Sequence, residues 1–170
     1  PNMSVAGPYY MDQIDDIKKT IAEQQLDIVP VEGQELDEEQ QTALDDAIAQ
    51  ITDEDIYNYI LEMNPDVKGI FATNGDTTMQ ALTACEGKDM KDVVIMGYDA
   101  DQEEIDAMKD GRIAGMIVQN PYGMGYATVV AEARCVLNMG NEANVNTGYT
   151  WVTPDNIEDR TVQDILYAEK

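Results

Sequence analysis

The spacing of hydrophobic and polar positions varies along the chain, and this variation predicts short strands that alternate with longer helices. Continuous apolar runs predict buried strands, whereas apolar residues spaced three or four apart predict helices with one buried face. The predicted strands are Met3–Gly7, Leu26–Val31, Gly69–Thr73, Asp92–Tyr98 and Ile113–Val118, with a short extended piece at Tyr149–Pro154.

The helical segments fall between these strands and after the last of them. They are Met11–Gln24, a stretch from Thr42 to Leu61, Asp76–Gly87, Asp101–Gly111, a helix that begins near Pro121, and Arg160–Lys170. For the helix at Asp76–Gly87, Asp76 or Thr77 is the expected N-cap and Gly87 the expected stop. Strand–helix alternation with fully apolar strands predicts an α/β fold: an open parallel sheet with helices on both faces.

The charge of the chain is unusual, with 34 Asp and Glu against 10 Lys and Arg, a net charge of −24. Such a chain repels the phosphates of nucleic acids, so we expect no nucleic-acid partner. The sequence has no histidine, and Ser4 is its only serine. Ser–His–Asp and Cys–His catalysis are therefore excluded within the chain, and so is a zinc site of the common histidine type. We expect a non-enzyme with no catalytic residues.

Two cysteines, Cys85 and Cys135, lie too far apart for a CxxC site. They are either buried free thiols or one disulfide. No stretch reaches the roughly 18 apolar residues of a membrane span. No secretory signal stands at Pro1, although a mature chain would have lost it.

Two motifs that suggest cofactors or metals do not match on inspection. "GMGYAT" at Gly123–Thr128 lacks the third glycine of a dinucleotide loop. The acidic segment Asp99–Asp110 has Glu104 where a calcium-binding EF-hand loop requires glycine. We therefore expect no cofactor and no metal.

Polar side chains end three consecutive predicted strands: Asn74, Asp99 and Gln119. In an open parallel sheet, ligands bind beyond the carboxyl ends of the strands. Because amides and carboxylates can each meet two adjacent hydroxyls, three of them in a row suit a sugar or another polyol. The alternative is that these residues only cap the helices that follow.

Aromatic residues accompany this predicted rim. Tyr9 and Tyr10 follow the first predicted strand, and Tyr98 and Tyr122 stand beside the polar residues. Aromatic rings can cover the apolar face of a sugar, so Tyr9 and Tyr10 are candidate ligand contacts. Partial burial with a solvated hydroxyl is the structural alternative.

Three segments together resemble the C-terminal half of type I periplasmic sugar-binding proteins, the substrate-binding subunits of ABC transporters of the ribose and galactose kind. They are "NPDVKGIFATNGDTTMQAL", "DVVIMGYDADQEEIDAMKDGRIAGMIVQNPYGMGYATVVAEARCVLNMG" and "TGYTWVTPDN". The resemblance is strong from Asn64 to Asn156 and looser over Met3–Met63. The same fold forms the effector domain of repressors of the lactose-repressor type.

This resemblance implies a function and a site. Asn74, Asp99 and Gln119 would contact the hydroxyls of a monosaccharide held between two lobes that close by a hinge motion. Gly123 and Gly125 would let the helix start pack under the strands that link the lobes. The partners would be the membrane subunits of an ABC transporter, and the location periplasmic or extracellular and membrane-anchored in a bacterium, with a signal peptide and lipoprotein processing. The alternative is an effector-binding domain of a transcription regulator.

The resemblance also implies a division of the chain. Residues 1–118 would be the second ligand-binding lobe, 119–142 a crossover helix that packs on a missing N-terminal lobe, and 143–170 a return segment and tail. The chain differs from the family pattern in having Gly75 where an aspartate usually follows the asparagine, and in having only Lys18 and Lys19 where the first helix usually has an arginine. An acidic insertion around Glu35–Asp46 is a further difference.

Overall fold

The computed structural model describes residues 11–29, 31, 35–142 and 144–166, so the predicted strand Met3–Gly7 lies outside the described residues. The helices are α1 Met11–Gln25, α2 Glu38–Gln50, α3 Asp53–Met63, α4 Gly75–Gly87, α5 Gln102–Lys109, α6 Pro121–Val136 and α7 Arg160–Gln163. The strands are β1 Gly69–Phe71, β2 Val94–Tyr98, β3 Gly115–Gln119 and β4 Tyr149–Val152.

The chain divides into two compact units, each with its own contacts. The helical unit is Pro1–Lys68 with Thr83–Lys91, and the sheet unit is Gly69–Leu82 with Asp92–Lys170. All four described strands and the three predicted rim residues belong to the sheet unit.

In the helical unit, α1 packs against α2 and α3. The spacing of apolar residues in α1 places Ile14, Ile17 and Ile21 on one face of the helix. Ile21 is buried with Ile51 and Ile56, and Ile14 and Ile17 pack against this cluster. The amphipathic pattern in the sequence therefore produces the core of this unit.

The helical stretch predicted from Thr42 to Leu61 is two helices, because Thr52 interrupts it. Thr52 has extended backbone geometry and a side chain that accepts a hydrogen bond from the Asp55 N–H, while the Asp55 carboxylate accepts one from the Thr52 N–H. This reciprocal capping starts α3. Hydrogen bonds from the Thr52 side chain and backbone lower the pKa of Asp55 from its ordinary value. Asp37 and Gln40 start α2 by the same arrangement.

The predicted strand Leu26–Val31 was wrong for the residues described there, 26–29 and 31, which include no strand. Asp27 has a positive φ of 54° and ends α1 instead. The Asp27 and Ile28 N–H groups donate to the carbonyls of Gln24 and Glu23. This is the Schellman arrangement of a helix C-terminus, and it uses donors that a strand would need for a neighbour.

The sheet has the order β1-β2-β3-β4. β1, β2 and β3 run parallel, with Ile70 opposite Ile95 and Tyr98 opposite Ile117. β4 runs antiparallel to β3 and forms one edge. The α/β class with a mainly parallel sheet is thus confirmed, and the sequence had not predicted that the last strand is antiparallel. The carboxyl ends of the parallel strands face the same edge of the sheet.

Apolar residues from β2, β3, β4 and α5 form the core of the sheet unit. Its large buried side chains include Ile95, Ile105, Met108, Met116, Val118 and Val152, with Ile113 from the segment that joins α5 to β3. Gly97 in β2 permits the close approach of α4, because a Cβ there would lie 2.5 Å from Cγ2 of Thr78. Burial along most of β2 and β3 explains why their sequences are almost entirely apolar, whereas β1, at the edge, leaves Phe71 exposed.

Helix ends were predicted with mixed success. Gly111, with φ 77°, ends α5 as expected. Gly87 does not stop α4, because it is still helical and Asp89 takes the positive φ of 55°. The last predicted helix is helical over Arg160–Gln163 only, and residues 167–170 lie outside the described part of the chain.

Candidate functional site

Two of the three predicted rim residues are in direct contact at the carboxyl end of the parallel strands. Asp99 follows β2, and Gln119 is the last residue of the neighbouring β3. The side-chain amide Nε2 of Gln119 donates to Oδ1 of Asp99 at 2.9 Å. Both residues are half-buried, and the hydrogen bond holds the two side chains together.

Asp99 has an unusual backbone conformation. Its φ is +79°, in the region that favours glycine, while its N–H donates to the Ile117 carbonyl at 2.9 Å. A residue other than glycine in such a region costs of order 1 kcal/mol or more, and such residues concentrate at functional sites. The sheet ladder therefore holds an aspartate where glycine would be less strained.

Asn74 lies at the same edge, after β1, and caps α4. Its Oδ1 accepts from the Thr77 N–H at 2.9 Å, and its carbonyl accepts from the Thr78 N–H and hydroxyl. The expectation that Asp76 or Thr77 would cap this helix was wrong, because Asn74 meets the first free N–H groups from one position before the helix. The Asn74 side chain is exposed.

Capping, the alternative explanation for strand-end polar residues, therefore accounts for Asn74 and leaves the other two unexplained. Asp101 is the N-cap residue of α5, and Asn120 is that of α6. Asp99 and Gln119 precede these caps and make no cap of their own. The side-chain hydrogen bond described for these two residues is the one that they make with each other.

Asn120 and Gly123 explain the polar and glycine-rich start of α6. Oδ1 of Asn120 accepts from the Gly123 N–H at 2.8 Å, and its Nδ2 donates to the Thr147 carbonyl at 3.0 Å. A Cβ on Gly123 would lie 2.6 Å from that Nδ2, so the cap requires glycine. Gly125 has open space around the corresponding position.

The aromatic residues are placed unevenly. Tyr9 and Tyr10 lie outside the described residues. Tyr122, in the first turn of α6, is 83% exposed, and Tyr149 on β4 is 73% exposed. Tyr149 is directly opposite Gln119 in the β3–β4 register. Sequence reasoning missed Tyr149, because the extended piece at Tyr149–Pro154 had no predicted pairing partner.

Glu104 is a second residue that sequence reasoning missed. It is 1% exposed, and its Oε2 accepts from the Asp101 N–H at 3.0 Å, whereas Oε1 has no hydrogen-bond partner. Burial is the largest of the causes that raise the pKa of Glu104 to about 7, and the negative charges of Asp101 and Asp99 act in the same direction. Hydrogen bonds from the Asp101 N–H and the Thr78 hydroxyl act in the opposite direction. The sequence signal was the spacing of Asp101 and Glu104, which is that of a capping box.

A cleft of about 480 Å³ borders Glu104. It is lined by Gly75, Asp76, Met79, Gln80, Asp101, Gln102, Glu103 and Glu104. A larger depression of about 770 Å³ lies in the helical unit between α1, α2 and the segment that joins them, and contains no rim residue. Within the described residues, no three acidic or cysteine side chains are grouped as metal ligands.

The cysteines are both free. Cys85 is buried, and burial raises its pKa, but Cys135 is exposed. The expectation of burial was wrong for Cys135, because α6 has no buried residue. Among the described helices, none combines the length and apolar character that a membrane crossing requires.

Comparison with protein families gives a match over residues 4–135 to a periplasmic binding protein domain. Among characterised proteins, the ribose import binding protein RbsB of Salmonella typhimurium is 35% identical over 66 residues, which are 39% of this chain and 22% of that protein.

Solved structures share the fold. A solute-binding protein of an ABC transporter from Agrobacterium vitis, with bound D-fucose, superposes with a TM-score of 0.61 at 21% identity. The superposition covers 90% of this chain and 62% of that one. A Brachyspira murdochii protein described as an ABC transporter, LacI family transcriptional regulator, gives 0.58 at 17% identity, covering 91% of this chain and 65% of that one. The chain thus spans less than two thirds of these relatives.

Proposed function

The chain belongs to the periplasmic binding protein family, and from this premise we propose that it forms a sugar-binding lobe of an ABC-transporter solute-binding protein. The relatives are described as binding proteins for import, which agrees with the expectation that the chain is not an enzyme. The proposed ligand class is a monosaccharide or a similar polyol.

The observation that supports this proposal best is the contact between Asp99 and Gln119 at the rim. A carboxylate can accept hydrogen bonds from two sugar hydroxyls, and an amide can both donate and accept. The Asp99 carboxylate keeps a second oxygen besides the one that Gln119 contacts. Asn74, three residues after the end of β1, is the third proposed contact, and it is exposed.

We propose further that this lobe acts with a second one. Residues 1–118 form the ligand-binding lobe, 119–142 the crossover helix that packs on an N-terminal lobe, and 143–170 the return segment. The exposed apolar side chains of α6 support this division, since Tyr126, Val129 and Val136 contact no core in the described structure. A sugar held between two lobes would be released to the membrane subunits after a hinge opening.

The proposed location is periplasmic or extracellular, as the family name and the import relatives suggest. Processing of a signal peptide and a lipid anchor belong to the same proposal. The sequence upstream of Pro1 tests them directly, because a lipid-attachment cysteine after an apolar segment favours transport.

The decisive experiment measures sugar affinity by calorimetry in the protein that carries this lobe and its partner lobe, after a thermal-shift screen of pentoses, hexoses and inositols. Asp99→Asn should weaken binding at least tenfold, about 1.4 kcal/mol, because hydrogen bonds to a charged group are the strong ones. Asp92→Asn is the matched control, since Asp92 is exposed just before the other end of β2. Equal affinity of the wild type and Asp99→Asn would remove Asp99 from the site.

A second candidate is the effector-binding domain of a transcription regulator, which the description of the Brachyspira murdochii relative supports. In that case a helix-turn-helix segment would precede the lobe, and sugar would change the affinity for an operator. The charge of −24 makes direct DNA contact by this lobe unfavourable. A sugar-dependent mobility shift with DNA would favour the regulator, and sugar-dependent stimulation of a transporter ATPase would favour transport.

A further inference from the structure

We propose that Glu104 is a positioning residue of the sugar rim: its carboxyl group, buried between the first turns of α4 and α5, sets the relative placement of Asn74 and Asp99. This inference rests on the proposed function for its consequence, whereas the placement itself can be measured without a sugar.

The geometry places the Glu104 carboxyl at the start of both helices. Its Oε2 accepts from the N–H of Asp101, the N-cap of α5, at 3.0 Å. A Cβ on Gly75, the first residue of α4, would lie 3.2 Å from the same oxygen. The absence of a side chain at position 75 therefore makes the space that the Glu104 carboxyl occupies.

Each of these helix starts is directly joined to a rim residue. Asn74 caps α4 one position before Gly75, and Asp99 precedes the α5 cap by two positions. Because the connections are this short, a shift of the Glu104 carboxyl moves the backbone that carries Asn74 and Asp99. Thr78, whose hydroxyl donates to the Asn74 carbonyl, also contacts the carboxyl.

The surroundings make the charge on Glu104 costly. Asp99 and Asp101 lie near it, and Asp76 and Glu103 line the adjoining cleft. No basic residue is among the residues that line this cleft. Burial, together with the charges of Asp101 and Asp99, keeps the pKa of Glu104 at about 7, so the carboxyl is mostly neutral below that pH and becomes charged above it. Ionisation adds a buried negative charge that repels the nearby Asp101 and Asp99 carboxylates, so the position of Asp99 depends on the charge of Glu104.

The first test follows backbone and side-chain NMR signals of the isotope-labelled protein without sugar. The Thr77 N–H, which Asn74 caps, and the Gln119 side-chain amide, which contacts Asp99, should shift with a common midpoint near neutral pH. In Glu104→Gln both shifts should lose this midpoint. Glu103→Gln is the control, because Glu103 is exposed in the same turn of α5 and should leave the midpoint in place.

The second test measures sugar affinity against pH in the same three proteins. Between about pH 6 and about pH 8.5, we expect the wild type and Glu103→Gln to lose at least about threefold in affinity, and Glu104→Gln less than about 1.5-fold. A Glu104→Gln protein that keeps both the NMR midpoint and the pH-dependent affinity overturns the inference. Failure of the wild type to bind any sugar, with the NMR midpoint present and lost in Glu104→Gln, would overturn the proposed function and keep the positioning role.

Discussion

Asp99 is the residue where stability and the proposed function conflict. Its φ of +79° suits glycine, and its carboxylate accepts from Gln119. A residue retained for stability would be expected to relieve the strain, and a residue retained for binding would not. Substitution by glycine separates the two explanations.

For Asp99→Gly we expect a thermal midpoint equal to or above that of the wild type, because relief of the backbone strain offsets the loss of the half-buried hydrogen bond from Gln119. Sugar binding should fall below detection, since the carboxylate is gone. Calorimetric melting and titration on the same samples check both parts. A clear loss of stability would indicate that Asp99 is mainly structural.

Glu104 gives a pH dependence with a defined sign. Its pKa is raised from 4.5 to about 7, so between these values the folded chain holds a proton that the unfolded chain has released. The contribution of Glu104 to the free energy of unfolding is therefore fully present below 4.5 and declines as pH rises to about 7, by roughly 3 kcal/mol. Urea unfolding at several pH values should show that Glu104→Gln has a flatter profile than the wild type.

The matched variant for this measurement is Glu103→Gln, which removes an equal charge from an exposed position of the same helix. Glu103→Gln should affect stability only through the change in net charge. Its free energy of unfolding should fall with pH as steeply as that of the wild type. Identical slopes in the wild type and Glu104→Gln would show that the buried carboxyl does not titrate in this window.

Individual rim residues could be found from sequence because a strand end fixes their position along the chain. Asn74, Asp99 and Gln119 were found in this way, and the contact between Asp99 and Gln119 follows from adjacent strands. Their role as sugar contacts stays a prediction. Tyr149 could not be found, because its place opposite Gln119 depends on a pairing between strands 30 residues apart in the sequence.

At the scale of elements, helix starts were encoded more clearly than helix ends. Asp37, Thr52 and Asn120 accept from the first N–H groups of their helices. Two helices end on Asp27 and Asp89 in positive φ, where sequence reasoning expected a strand and a glycine stop. Aspartate tolerates this conformation less well than glycine, so these ends carry no strong sequence signal.

A substitution of Asp89 at the C-terminal end of α4 should stabilise the protein. The Asp89 and Met90 N–H groups donate to the carbonyls of Glu86 and Cys85, which is the arrangement that glycine favours. Asp89→Gly should raise the free energy of unfolding by about 0.5–1 kcal/mol. Asp89→Ala removes the same charge and keeps the Cβ, so it should give no such gain. Chemical denaturation of the two variants measures the difference.

The two glycines at the start of α6 should respond differently to alanine. In Gly123→Ala the new Cβ meets the Asn120 amide at 2.6 Å, so the cap is displaced and the helix loses about 1 kcal/mol or more. In Gly125→Ala the space is open, and the higher helix propensity of alanine should stabilise by up to about 1 kcal/mol. Equal effects in thermal unfolding would show that the Asn120 cap does not constrain position 123.

At the scale of the molecule, the fold class was predictable because strand and helix periods alternate along the whole chain. The strand predicted at Leu26–Val31 was wrong, because an apolar run does not indicate whether its N–H groups already donate to carbonyls of the preceding helix. The division into residues 1–118, 119–142 and 143–170 stays a prediction, since it depends on the proposed second lobe.

The net charge and the apolar face of α6 act in opposite directions on self-association. Val129 is 64% and Val136 81% exposed, so two copies can bury this face, while a charge of −24 on each copy opposes the encounter. Sedimentation velocity should therefore show more dimer as salt increases, because salt screens the repulsion. Val129→Glu should abolish the dimer, and Val145→Glu, at an exposed apolar position outside the helix, should keep it.

The register of β3 and β4 has a consequence for how the chain could be rebuilt. Gln119 and Tyr149 are already opposite each other, and Asn120 bonds the Thr147 carbonyl just beyond them. The backbone enters and leaves the α6 excursion at adjacent points, as in the two arms of a β-hairpin. Replacing the segment that contains α6 by a two-residue turn would therefore join β3 to β4 without a change of pairing. The shortened chain would lack the exposed apolar face of α6.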